Sequence, residues 1–89
     1  MRRTVVYTLR AERDLLAIYR FIAKDKPGAA LTYVTTIREA LERLGEFPAL
    51  GRTVGKARVW PVTPNALAKY RVLERDIEVV RIAYAGQRP

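Results

Sequence analysis

The residues of this chain best suited to chemistry are cations inside candidate strands. The stretch from Ala68 to Arg88 alternates apolar and charged positions and reads as two strands joined by a tight charged turn, with Lys69, Arg71 and Arg81 inside the strands. A strand position is normally half-buried, so an arginine there faces either solvent or a partner. Alternation predicts Tyr70, Val72, Val80 and Ile82 on a covered face, with Arg71 and Arg81 on the open one and Arg58 from the preceding strand nearby. Three guanidiniums on one face suit a carboxylate or phosphate, which they bind through paired hydrogen bonds. The competing reading is an ordinary surface ion pair between Arg71 or Arg81 and Glu74 or Glu78. Trp60 and Tyr84 have the ring faces needed to stack on a base. A lone tryptophan in a small domain more often packs, which is the role expected of Trp60; Tyr84 stays open between the two.

Equally informative is the chemistry that is missing. The chain has no histidine and no cysteine, and it also lacks serine. Disulfides, zinc–thiolate sites, cysteine nucleophiles and imidazole bases are therefore excluded. No glycine-rich phosphate loop, metal-ligand spacing or nucleophile elbow is present, so neither a cofactor nor a metal is expected. A binding role gains weight accordingly. Net charge is +8, and it is uneven: from Pro48 to Leu73 there are cations at Arg52, Lys56, Arg58, Lys69 and Arg71 and no acid. That half should attract nucleic acid or an acidic protein segment. Glu39, Glu42 and Glu46, interleaved with Arg38 and Arg43, read as a solvated helix face.

The elements that must position these residues are legible from periodicity. With 89 residues, 49% hydrophobic and 29% charged, the chain suits one compact domain over residues 1–89. No apolar run approaches a membrane span and the N-terminus lacks a signal-peptide pattern, so a cytoplasmic protein is expected. Arg3 to Thr8 is β-branched and aromatic and predicts a strand. Leu15, Ile18, Tyr19 and Ile22 form the stripe of a helix from about Ala11 to Lys24. Pro27 suits the first turn of a second helix, with Asp25 the chemically better cap. Its stripe is Ala30, Val34, Ile37, Leu41 and Leu44, and Gly45 and Pro48 end it. Pro48 to Lys56 reads as a loop. Ala57 to Thr63 reads as a strand, where Pro61 implies an edge or a bulge. Leu67 to Leu73 and Ile77 to Tyr84 complete a meander. The predicted fold is α+β, in the order β-α-α-β-β-β, with a small antiparallel sheet packed against a helix hairpin.

That order, with Pro48-x-Leu50-Gly51-Arg52, Tyr70-Arg71-Val72, Ile77 to Ile82 and Ala29-Ala30-x-x-Tyr33 followed by Ile37, Ala40, Leu41 and Leu44, resembles the RelE/ParE toxin superfamily over nearly the whole chain. The resemblance implies the toxin of a type II toxin–antitoxin pair. RelE-like members are ribonucleases that pair cations with a Tyr, His or Glu; ParE-like members poison DNA gyrase. The Pro48 to Arg52 loop and the paired helices look like the ParE branch. Tyr84 stands where relatives commonly carry His, which removes a general base near neutral pH. The implied function is a non-enzymatic gyrase inhibitor. The alternatives are a RelE-like mRNA endoribonuclease and a plain basic nucleic-acid-binding module. The implied partner is a ParD-like antitoxin, a ribbon-helix-helix DNA-binding protein whose flexible acidic tail would fold along the toxin. Arg58, Lys69, Arg71, Arg81, Tyr84 and Arg88 are the candidate contacts for antitoxin or target.

Overall fold

The computed structural model describes residues 2–86. Strand β1 (Thr4–Tyr7) leads into helix α1 (Leu9–Ala23), helix α2 (Pro27–Glu42) and a 3-10 turn (Arg43–Gly45), followed by β2 (Arg52–Val54), β3 (Ala57–Thr63), β4 (Ala66–Val72) and β5 (Asp76–Tyr84). The α+β class is as expected. The sheet has five strands in the order β1-β5-β4-β3-β2. All neighbours are antiparallel except β1, which runs parallel to β5. Strand β2 lies in what the sequence suggested was loop. Gly55, at φ 62, makes the tight Gly55-Lys56 turn that lets Val54 pair with Ala57.

Helix α1 starts earlier than its apolar stripe because Thr8 caps it. The Thr8 hydroxyl accepts from the Ala11 N–H at 3.1 Å and donates to the Val80 carbonyl at 3.1 Å, tying the helix start to β5. Helix α2 has Lys26, not Asp25, at its cap, with no side-chain bond there; Pro27 occupies the first turn, where its missing N–H costs nothing. Ala11, Leu15 and Ile18 from α1 meet Ile37 and Leu41 from α2, with Leu44 beyond them. They cover Ala66, Ala68 and Tyr70 of β4 and Ile77, Val79 and Ile82 of β5. An ion pair from Arg38 to Glu12 joins the two helices. Among the described residues, no helix is long and apolar enough to cross a membrane.

The pattern on β5 departs from simple alternation. Lys69 faces Arg81, but Tyr70 faces Val79, so one extra residue, Val80, is accommodated as a bulge. The bulge reverses the alternation, and Ile77 and Val79 fill the covered face before it, with Ile82 after it. Val80, expected in the core, is only half-buried, and Val72 is exposed. Pro61 sits beside a second irregularity, between Pro61 and Thr63, beyond the residues that β2 pairs with.

Candidate functional site

Directly opposed residues on neighbouring strands share a face, so the register sorts the candidate residues. Lys69, Arg71 and Arg81 share the face that no helix covers: Lys69 opposes Arg81 and Val59, and Arg71 opposes Glu78. Leu67, opposite both Pro61 and Ala83, adds apolar surface there. Arg58 does not join them. It opposes Tyr70, on the covered side, and its Nη1 donates to the Gly51 carbonyl at 2.6 Å. The expected triad therefore splits across the sheet, because Arg58 and Arg71 differ by one position in register. Arg88 lies outside the described residues.

The guanidiniums on the open face are not bare. Arg71 Nη1 lies 3.4 Å from Glu78 Oε1, with both side chains partly exposed. That is the surface pair anticipated as the competing reading, and it contributes little stability. Arg81 is held more firmly, by an acid that local sequence does not point to. Its Nε donates to Oδ2 of Asp14 at 3.0 Å, and the same oxygen accepts the Ile82 N–H at 2.9 Å. Oδ1 of Asp14 accepts from Arg10 Nε at 3.3 Å. Strand β1 stops at Tyr7, opposite Val79, so the edge of β5 beyond that point has no strand beside it. Asp14, only 13% exposed, fills the gap. The Arg10–Asp14 spacing of four residues is readable on a helix, but the link to Arg81 spans 67 positions and only the fold makes it. Lys69 is exposed and makes no ion pair among the described residues.

Tyr84 belongs to the other side. It opposes Ala66 on the covered face, and its ring packs against Phe21 of α1 at 6.1 Å and Tyr33 of α2 at 5.4 Å between centroids. Trp60 also packs on the core, with Arg43 5.9 Å above its ring. Neither is a free platform on the cationic face.

Two motifs prove to be one device. The fully buried Tyr70 directs its hydroxyl under the loop that begins at Pro48. The hydroxyl accepts from the Gly51 N–H at 2.8 Å and donates to the Pro48 carbonyl at 2.7 Å. A Cβ at Gly51 would fall 2.8 Å from that oxygen and 2.9 Å from the Val59 carbonyl, so only glycine lets the loop approach this closely.

At the far edge, Tyr7 is held differently. Its hydroxyl is buried and has no hydrogen-bond partner among the described residues. Arg38 lies over the ring, 4.9 Å from its centroid, where it offers charge to the π face. Burial pushes the Tyr7 hydroxyl above the usual tyrosine range, with the Arg38 charge opposing. The bond to Glu12 raises Arg38 in turn. Among the described residues, no group of three or more acids is placed to hold a metal ion.

With this geometry in place, the relatives are informative. Residues 5–89 match the family described as the ParE toxin of the type II toxin–antitoxin system parDE. The chain is 36% identical over 92 residues to the protein Y4kP of Sinorhizobium fredii, spanning 97% of this chain and 92% of that protein. It is 33% identical over 84 residues to toxin RelE2 of Caulobacter vibrioides, spanning 93% and 96%. Its structure is similar to one from the chromosomal ParDE toxin–antitoxin system of P. aeruginosa, with a TM-score of 0.83 and 27% identity over 92% of this chain and 95% of that one.

Proposed function

The chain belongs to the ParE toxin family of type II toxin–antitoxin systems, and from that premise we propose that it acts in the cytoplasm as a non-enzymatic inhibitor of DNA gyrase, neutralised by a ParD-like antitoxin. The observation that carries this reading is the placement of Tyr84. The side chain that stands in for a general base packs between the helices, on the opposite face of the sheet from Lys69 and Arg81. A phosphodiester lying on the cations has no unpaired carboxylate and no imidazole beside it among the described residues, and Lys69 is the unpaired titratable side chain there. Glu78 and Asp14 are the acids at hand, and each already holds a guanidinium. The arrangement suits gripping an anion better than cleaving one.

Lys69, Arg71 and Arg81 are the proposed contacts on the open face for an acidic antitoxin tail, with Leu67 and Ala83 offering it apolar purchase. The net charge of +8 favours fast capture of such a tail. A supercoiling assay with purified gyrase tests the target. The expected result is loss of supercoiling with accumulation of cleaved DNA. Unaffected gyrase together with cut mRNA on translating ribosomes would refute the reading and establish the ribonuclease one. If both assays are silent, and expression alone does not slow growth, the chain is a basic binding module.

A further inference from the structure

Asp14 is the least exposed member of any ion pair among the described residues, and it binds two arginines in the same way. Arg10 and Arg81 each present Nε to it, at 3.3 and 3.0 Å. Their terminal nitrogens make no bond to other described residues. Those nitrogens form the planar fork that pairs with an incoming carboxylate. The Asp14 carboxylate cannot drift, because the backbone N–H of Ile82 fixes Oδ2. One half-buried acid thus holds two exposed guanidiniums by their inner nitrogens, beside the edge of β5 that β1 leaves unpaired.

We infer that Asp14 is a positioning residue, which holds Arg10 and Arg81 as a paired fork for a carboxylate of an acidic, apolar-interleaved peptide segment that crosses the free edge of β5 onto the open face. This rests on the reading that an antitoxin tail occupies that face. Charge complementarity gives the sign: two arginines against one acid, with Lys69 directly opposite Arg81. Apolar neighbours favour peptide over nucleic acid. Leu67 is 48% exposed and, with Pro61 and Ala83 on either side of it, forms an apolar row across the strands, next to the row of Val59, Lys69 and Arg81. An extended chain turns every second side chain toward the sheet, so an acid and an aliphatic residue two positions apart meet the two rows.

The test turns on a sign. If Asp14 only neutralises its arginines, Asp14→Asn removes a repulsive charge and an acidic peptide binds more tightly. If Asp14 positions them, the same variant binds more weakly. The probe is a capped synthetic peptide in which glutamate and valine take turns at every second position, with threonine between them, titrated by calorimetry against the full chain. Arg10→Lys and Arg81→Lys each remove the fork at an exposed position and keep the charge, so they remain informative should Asp14→Asn misfold. We expect each of the three variants to weaken binding about tenfold, the loss of one charged hydrogen bond. The Asp14→Asn, Arg81→Lys double variant should lose little more than either single one, because both act through the same fork. Unchanged or tighter binding by Asp14→Asn, multiplicative losses, no binding by the native chain, or arginine-dependent binding of a single-stranded oligonucleotide in place of the peptide would each overturn the inference. The titration contains no gyrase, so its failure leaves the gyrase reading intact, and a silent supercoiling assay leaves this one intact.

Discussion

Replacing Tyr70 with phenylalanine should destabilise the protein far more than replacing Tyr7 with phenylalanine, although each change removes a single buried hydroxyl. Tyr70 donates to the Pro48 carbonyl at 2.7 Å and accepts from the Gly51 N–H at 2.8 Å. Each bond contributes about 1 kcal/mol net, and stranding the buried Gly51 N–H adds to that, so Tyr70→Phe should cost about 2–3 kcal/mol. For a domain of this size that corresponds to a melting temperature lower by about 10–20 °C. Tyr7 has a buried hydroxyl with no partner among the described residues. Removing it relieves a desolvation penalty and strands nothing, so Tyr7→Phe should be neutral or stabilising by up to about 1 kcal/mol. Thermal and urea unfolding followed by circular dichroism measure both variants. Equal midpoints for the two would refute the claim that the Tyr70 hydroxyl holds the Pro48 to Arg52 loop.

Leu41 is fully buried between the hairpin and the sheet, so Leu41→Ala should cost about 2–5 kcal/mol in urea unfolding. A Cβ at Gly45 would lie 2.4 Å from the Arg3 carbonyl oxygen, so Gly45→Ala must push β1 off the 3-10 turn and should cost about 1–3 kcal/mol by the same measurement. The pH dependence of Tyr7 has a defined sign. Its hydroxyl is raised by burial, so the folded state favours the neutral form. That contribution is complete below the ordinary tyrosine value of about 10 and is lost as pH rises through the folded value. The stability difference between native protein and Tyr7→Phe should therefore shift in favour of the variant above pH about 10, read from unfolding midpoints at several pH values.

The helices were legible because their signal is long and local. Leu15 and Ile18 recur on one stripe, and Ala30, Ile37, Leu41 and Leu44 on another; every one of them is buried. The two departures from the expected strands, β2 and the Val80 bulge, share a cause. Strand β2 is only three residues long and wholly exposed, so it has no apolar alternation to read; its sole trace is the glycine of the Gly55-Lys56 turn. The bulge at Val80 has no local signature. An unbroken apolar and charged run from Ile77 to Tyr84 fits either phase of alternation, and only pairing with β4 selects the phase that buries Val79 and Ile82 together.

The site was harder to read than the fold for a deeper reason. Pro48, Gly51 and Tyr70, central to the sequence resemblance, are joined in one buried hydrogen-bonded clamp. Such residues answer to packing, and a packing constraint is the same whatever the toxin attacks. The residues proposed as contacts for target or antitoxin sit where packing is silent, on the open face and the β5 edge. Their roles depend on long-range partners: Arg81 on Asp14, and Arg58 on a register that moves it across the sheet. A family is therefore recognisable from its clamp while its target is not. The discriminating experiments must alter Lys69, Arg71, Arg81, Arg10 and Asp14, because changes at Tyr70 or Gly51 would lower every activity alike by destabilising the fold.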